Sequence, residues 1–212
     1  MTVPTARRTQ ADRRARSRRA LLEAAAQALS RHGYANLSLE GVARQAGYTR
    51  GALYHQFANK EDLALAVVDW VNETWQAEVG RHVEDLADPV EALLTLARRH
   101  AVYCRRDIAR VMVTLRVEFA GRAHPVGRAI AETIDRLVAD CSRLISAGRR
   151  SGTIPSGPPV SALASAYLAA VESVVIALAG RAPFDAELAE RAVRGVLGLP
   201  PQEAPTEEGR EV

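Results

Sequence analysis

Apolar side chains recur along this chain at intervals of three and four residues almost from end to end, the spacing that gathers them on one face of an α-helix. From about Ala15 to His32 they fall at Leu22, Ala25, Ala26 and Leu29, and Gly33 stands where a helix closes on a left-handed residue. Leu39, Val42, Ala43 and Ala46 follow at i, i+3, i+4 and i+7, with Ser38 as cap and Gly47 as stop. Thr49 caps a third short helix in which Leu53 and Phe57 share a face, leaving Arg50, Tyr54 and His55 to point elsewhere. Asn59 caps a fourth, with Glu61 and Asp62 in its first turn and Leu63, Ala66, Val67, Trp70 and Val71 behind them.

The same pattern continues past residue 80. Asp88, Pro89 and Glu91 open a helix to about Cys104, and Asp107 opens another through Phe119. After a break at Gly121 to Pro125, a long amphipathic helix spans about Val126 to Arg150, with Ile130, Ile134, Leu137, Val138, Cys141, Leu144 and Ile145 inward. A Pro/Gly loop from Gly152 to Pro159 precedes helices at about Val160 to Ala179 and Asp185 to Leu197. No run of alternating β-branched and aromatic residues occurs, so the pattern predicts an all-α protein. Its first three helices, with a glycine-centred turn between the second and third, have the helix-turn-helix layout. Gly51 lies inside the third, where glycine costs about 1 kcal/mol relative to alanine. Close approach to DNA accounts for it, and so does relief of crowding against the second helix.

The 212 residues are 48% hydrophobic and 25% charged, which is normal for a globular protein with a substantial core. Charge distribution says more. Residues 1 to 62 carry 11 basic against 5 acidic side chains, and residues 63 to 212 carry 17 against 20. A basic N-terminal third points to a polyanion at that end, either nucleic acid or an anionic membrane face. Met1 to Arg19 is polar and Arg-rich and reads as no secretory signal. Ala162 to Gly180 approaches membrane-spanning length, but Glu172 interrupts it at a cost of roughly 2.5 to 3.5 kcal/mol, so it reads as a buried helix and no membrane partner is expected. Cys104 and Cys141 cannot form a disulfide framework or a four-ligand zinc site. No metal or cofactor is expected, and a reducing, cytoplasmic setting is the default. There is no P-loop, no Gly-x-Ser-x-Gly and no zinc-protease helix, and the five histidines fall at no ligand spacing with the cysteines, so the chain does not read as an enzyme.

Residues 39 to 63, LEGVARQAGYTRGALYHQFANKEDL, resemble the DNA-binding motif of the TetR/AcrR family of bacterial transcriptional regulators. The Ala-Gly turn, Gly-x-Leu-Tyr-x-x-Phe and Asn-Lys-Glu-x-Leu all fall in register. Thr49 to Ala52, Thr-Arg-Gly-Ala, is especially similar to the multidrug-efflux repressors of that family. The resemblance implies a nine-helix, Ω-shaped homodimer. Helices one to three would bind DNA, four would connect, five to seven would enclose an effector pocket, and eight and nine would dimerise. The chain then divides into a flexible basic arm (1–16), a helix-turn-helix domain (17–58), an effector-binding and dimerisation domain (59–199) and a disordered acidic tail (200–212). The implied function is that of a dimeric repressor which leaves a pseudo-palindromic operator when a small hydrophobic or drug-like effector binds.

In a recognition helix the N-terminal side chains meet base edges and the flanking groups meet phosphates. Arg50 is expected to take a guanine through O6 and N7, and Ala52 to touch a thymine methyl. Thr49, Tyr54 and His55 would position the helix on phosphates, as the family's equivalent positions do. Ser38 and Lys60 stand at first turns of helices, where free N–H groups favour an anion. Arg14 and Arg16 of the arm would add sequence-poor contacts. A packing role for Tyr54, and solvation of His55 and of the arm, remain open beside these. For the effector wall the candidates are Trp70, Trp75, His100, Tyr103, Cys104, Met112, Arg116, Phe119 and Cys141. Arg116 and Glu118, on a helix otherwise apolar, would be buried and orient a ligand, or else be salt-bridged or solvated. Ala162, Ala166, Ala169, Ala170, Ser173 and Ala177 line one side of helix eight with small residues, and with Leu188, Ala192 and Val196 they would form an isologous interface. The competing reading is a regulator switched by oxidation of Cys104 or Cys141, or an activator, without a small-molecule effector.

Overall fold

The computed structural model describes residues 10–201. Helix α1 spans Gln10–His32, α2 Leu39–Gln45 and α3 Arg50–Tyr54. Helix α4, Lys60–Trp75, runs on through a π-helical turn, Gln76–Gly80, and one more α-helical turn, Arg81–Glu84. Helix α5 is Pro89–Tyr103, and a 3-10 turn, Asp107–Ala109, leads into α6, Arg110–Glu118. The last three are α7, Pro125–Ser151, α8, Val160–Leu178, and α9, Phe184–Leu197. Among the described residues this makes nine helical runs and no strand, the all-α class that the periodicity predicts.

The helix starts rest on the caps named from sequence. Ser38 Oγ accepts from the Gly41 N–H and Thr49 Oγ1 from the Ala52 N–H, both at 3.2 Å, and an Asp88 carboxylate oxygen accepts from the Val90 N–H at 2.9 Å. At α4 the capping is reciprocal: Asn59 Oδ1 accepts from the Asp62 N–H at 2.8 Å while Asp62 accepts from the Ala58 N–H at 2.9 Å. Gly33 and Gly47 end α1 and α2 with φ of +72° and +75°, a conformation costly for other residues. One boundary differs from expectation. Helix α1 begins at Gln10, so Arg13, Arg14 and Arg16 belong to its first turns instead of a flexible arm. Arginine is a good helix former, and Asp12 in the first turn suits the helix dipole. Arg7 and Arg8, and the tail from residue 202, lie outside the described residues.

The described residues pack as two units, one of residues 10–74 and 106–133, the other of 75–105 and 134–201. The division expected at residue 58 therefore falls inside the first unit. There α1 packs on α2 and α6, burying Leu21, Ala25 and Leu29 with Val42, Leu53, Phe57, Leu63, Val67, Val111 and Leu115. The turn between α1 and α2 is held from two sides. Glu118, at the end of α6, accepts from the N–H groups of Tyr34 and Ala35 at 2.5 and 2.7 Å, while Lys60 Nζ donates to the Ala35 carbonyl at 2.8 Å and sits 4.7 Å from the Tyr34 ring centroid. These bonds draw residues 60–74 and 106–133 into the first unit, and helical phase contains no signal for them.

In the second unit α9 packs on α8 and α5. The Tyr167 hydroxyl of α8 donates to the Leu93 carbonyl of α5 at 2.5 Å. Ion pairs tie α5 to α9: Arg98 meets Glu91 and Glu190, Glu190 also accepts from Arg194 at 2.9 Å, and Arg105 grips Asp185 through two bonds of 2.8 and 2.9 Å. The Asp185 side chain is 1% exposed, so its charge depends on that pairing.

Candidate nucleic-acid interface

Helices α2 and α3 pack through Val42, Ala43 and Leu53, which turns the opposite side of α3 outward. Thr49, Arg50, Gly51, Tyr54 and His55 are exposed there, and Ala52 is partly so. Every α3 candidate named from sequence therefore lies on or beside one accessible surface. A Cβ on Gly51 would meet nothing nearer than Thr49 Oγ1 at 3.9 Å. Crowding against α2 therefore does not explain the glycine. Tyr54 is 43% exposed and lies under the guanidinium of Arg50, whose Cζ is 5.3 Å from the ring centroid, so it is no core tyrosine. Arg50 Nη1 also donates to Glu40 Oε1 at 2.5 Å, a pairing that the sequence reading did not include. Ser38 is exposed at the start of α2, and Arg14 and Arg16 are exposed on the first turns of α1. Lys60 differs from expectation because one of its three N–H donors is engaged with Ala35 inside the chain. Behind the surface, Gln56 donates to Ser17 Oγ at 3.0 Å and ties α3 to α1.

A family model described as bacterial regulatory proteins, tetR family, matches residues 21–67, the stretch that builds this surface. Through that N-terminal stretch the chain is similar to the tetR family of regulators. It is 29% identical over 178 residues to the A-factor receptor protein of Streptomyces griseus, covering 81% of this chain and 59% of that protein. It is 26% identical over 170 residues to the transcriptional repressor BepR of Brucella suis biovar 1, covering 78% and 81%. Other curated relatives are matched over 37%, 45% and 39% of their lengths, so the chain spans less than two thirds of several of them. The crystal structure of AibR in complex with isovaleryl coenzyme A and operator DNA shares the fold, with a TM-score of 0.72 over 85% of this chain and 98% of that one at 23% identity. These relatives are regulators and a receptor, as expected of a chain without catalytic motifs.

The expected effector residues divide between the two units. Trp70, Met112, Arg116 and Phe119 belong to the first unit, and Trp75, His100, Tyr103, Cys104 and Cys141 to the second. Phe119 stacks on His124 at 4.3 Å and meets the edge of Tyr34 at 5.2 Å. Arg116 is exposed, and Glu118 is spent on the α1–α2 turn, so neither is a buried charge waiting for a ligand. Helical phase could not show this, because the N–H groups that hold Glu118 lie more than 80 positions away.

The second-unit candidates do come together in part. Trp75 Nε1 donates to His100 Nδ1 at 2.9 Å, and His100 Nε2 lies 3.4 Å from Cys104 Sγ. Burial pushes the His100 pKa down to about 4, so the ring is neutral, with its proton on Nε2. Burial, with the charge of Glu172, pushes the Cys104 thiol up to about 12, and burial with Asp140 does the same for Cys141. A separate concavity of about 460 Å³ is lined by Ala77, Glu78, His82, Arg98, Arg99, Val102 and Tyr103, and shares only Tyr103 with the candidates.

Helix α8 is long and largely apolar, yet only 28% of its most apolar stretch is buried, which corrects its reading as a buried helix. Leu163, Ala164, Tyr167, Val171 and Val175 face the unit's core. Ala162, Ala166, Ala169, Ser173 and Ala177 are exposed and Ala170 partly so, together with Ile176, which is 64% exposed. On α9, Leu188 is exposed and Ala192 and Val196 are partly so.

Proposed function

We propose that this chain is a dimeric, sequence-specific DNA-binding repressor of the cytoplasm, released from a pseudo-palindromic operator by a small hydrophobic effector. The observation that carries the reading is the outward face of α3, where Arg50, Gly51, Ala52, Tyr54 and His55 stand together on capped helices in the stretch matched by the family. Arg50 reads a guanine, Ala52 a thymine methyl, and Thr49, Tyr54, His55, Ser38 and the second and third donors of Lys60 hold phosphates. Arg14 and Arg16 extend the basic surface.

The exposed stripe of small apolar residues on α8, with Leu188, Ala192 and Val196 of α9, supports an isologous interface, since water on so much apolar surface is costly. Two reading heads then require half-sites a whole number of helical turns apart. BepR is named a repressor, which supports repression, and AibR was crystallised with isovaleryl coenzyme A and operator DNA, which supports control by a small effector. Effector and operator then weaken each other by the same factor. The neutral His100 beside Trp75 and Cys104 is a polar group suited to orienting an apolar ligand. Raised thiol pKa values and burial work against the cysteine-switched alternative, because the thiolate is the reactive form.

The test is selection of bound duplexes from a random DNA pool by the purified chain at two salt concentrations. A palindrome whose binding survives the higher salt is the expected result. Binding that vanishes with salt and yields no consensus would mean a general polyanion grip instead.

A further inference from the structure

From Ala24 to Lys60 the only acidic residue is Glu40, and it stands exposed on the surface assigned above to a polyanion. A carboxylate there repels phosphate and lowers affinity for every DNA sequence. Its geometry shows what it supplies in return. Oε1 lies 2.5 Å from Arg50 Nη1, and the guanidinium rests on the Tyr54 ring at 5.3 Å. The base-reading arginine is thus held by one end in an ion pair and by its face on an aromatic ring. Thr49 fixes the backbone from which it projects, by capping α3. The Nε–Nη2 edge of the guanidinium makes no hydrogen bond to the described residues, and that edge matches the O6 and N7 acceptors of guanine.

We propose that Glu40 is a specificity-determining positioning residue that orients Arg50 toward a guanine edge and keeps it off the phosphate backbone. The proposal rests on the DNA-binding reading above. Two physical effects act in the same direction. Arginine has many rotamers, and a side chain already ordered by a carboxylate and a ring loses less freedom when it meets a base. An arginine beside a carboxylate is also a poorer phosphate ligand, because the phosphate must approach both charges, whereas a guanine edge is neutral. Glu40 therefore lowers general affinity and raises discrimination. A residue that only stabilised the fold would lower both.

The test uses the full chain and the duplex recovered by selection, in two forms: the consensus, and the same duplex with the guanine contacted by Arg50 replaced by adenine. Affinities of wild type, Glu40→Gln, Arg50→Ala and the double variant are measured for both duplexes across a salt series, with circular dichroism to confirm that each variant is folded. The expected result for Glu40→Gln is a drop of about tenfold in the preference for guanine, within the range of one bidentate contact. Binding to the substituted duplex should tighten, and its salt slope should steepen by up to about one unit, as Arg50 drops onto a phosphate. In the Arg50→Ala background, Glu40→Gln should no longer change the preference. An unchanged preference in Glu40→Gln overturns the proposal, and so does an equal loss in the Arg50→Ala background, which would make Glu40 a reader in its own right. A wild-type chain that yields no consensus removes the DNA-binding reading itself, and the proposal with it.

Discussion

Glu118 and Gly33 form a pair whose coupling can be worked out from the structure. The Glu118 carboxylate accepts two backbone N–H groups, those of Tyr34 and Ala35, and a hydrogen bond to a charged group contributes roughly 1.5 to 3 kcal/mol. Ala35 is exposed and the site only half-buried, which places each bond at the low end, so Glu118→Ala should cost about 3 kcal/mol. Gly33→Ala has two costs. The residue has a φ of +72°, a penalty of about 1 kcal/mol for a side chain, and its new Cβ would lie 2.6 Å from Glu118 Oε2. The carboxylate must then swing away and abandon both N–H groups, which brings the single variant to about 4 kcal/mol by the same reckoning. In a Glu118→Ala background only the backbone penalty remains. The double variant should therefore cost about 4 kcal/mol, against about 7 for independent sites, a coupling of about 3 kcal/mol. Urea unfolding followed by far-ultraviolet circular dichroism measures the three variants, and hydrogen exchange should show the Tyr34 and Ala35 amides losing protection in Glu118→Ala. Additivity within about 0.5 kcal/mol would refute the reasoning, because it would mean that the carboxylate does not occupy the space above Gly33.

The other predictions are separate from that pair. Arg50→Ala should cost about 1 to 3 kcal/mol of operator binding and relax preference at one base, whereas Lys60→Ala should weaken all sequences about equally and also lower stability through loss of its bond to Ala35; competition binding and thermal unfolding distinguish them. His100 has a folded pKa of about 4, below its ordinary 6.5, so the unfolded chain takes up a proton first, and stability should fall as pH drops from about 6.5 to 4; His100→Phe should flatten that limb in a pH series of unfolding free energies. Pairing with Arg105 holds the Asp185 pKa below its ordinary value, so its contribution is present above the usual carboxylate range and lost at lower pH; Arg105→Ala should raise the acid unfolding midpoint measured by circular dichroism. Ala169→Arg should convert the proposed dimer to monomer in sedimentation velocity, and an unchanged mass would place the interface elsewhere.

Much of the local structure was legible in the sequence, because capping and helix termination are decided within four residues of the cap. Ser38, Thr49, Asn59 and Asp88 each bond an N–H two or three positions ahead, and Gly33 and Gly47 close their helices with the left-handed φ expected of them. The exposed face of α3 was legible for a related reason. Its members lie within seven residues of one another on a single short helix, so their accessibility follows from which side of that helix Leu53 buries. The start of α1 was misread because arginine density looks like a solvated arm, while arginine is also a good helix former.

The sequence by itself determined the helical class, the order of the helices, their caps and the face of α3, since each depends on interactions a few residues long. Only the tertiary structure decided which charges are spent inside the chain. Glu118 on the α1–α2 turn, Lys60 on Ala35, Arg105 on Asp185 and Arg50 on Glu40 pair residues from 10 to 84 positions apart. It also decided that α8 keeps only one face in the core, and that the expected effector residues divide between two units. The physical reason is common to all of these. A helix's own spacing reports which of its residues share a face, but the partner of that face is set by the whole chain's competition to bury apolar surface and satisfy charge.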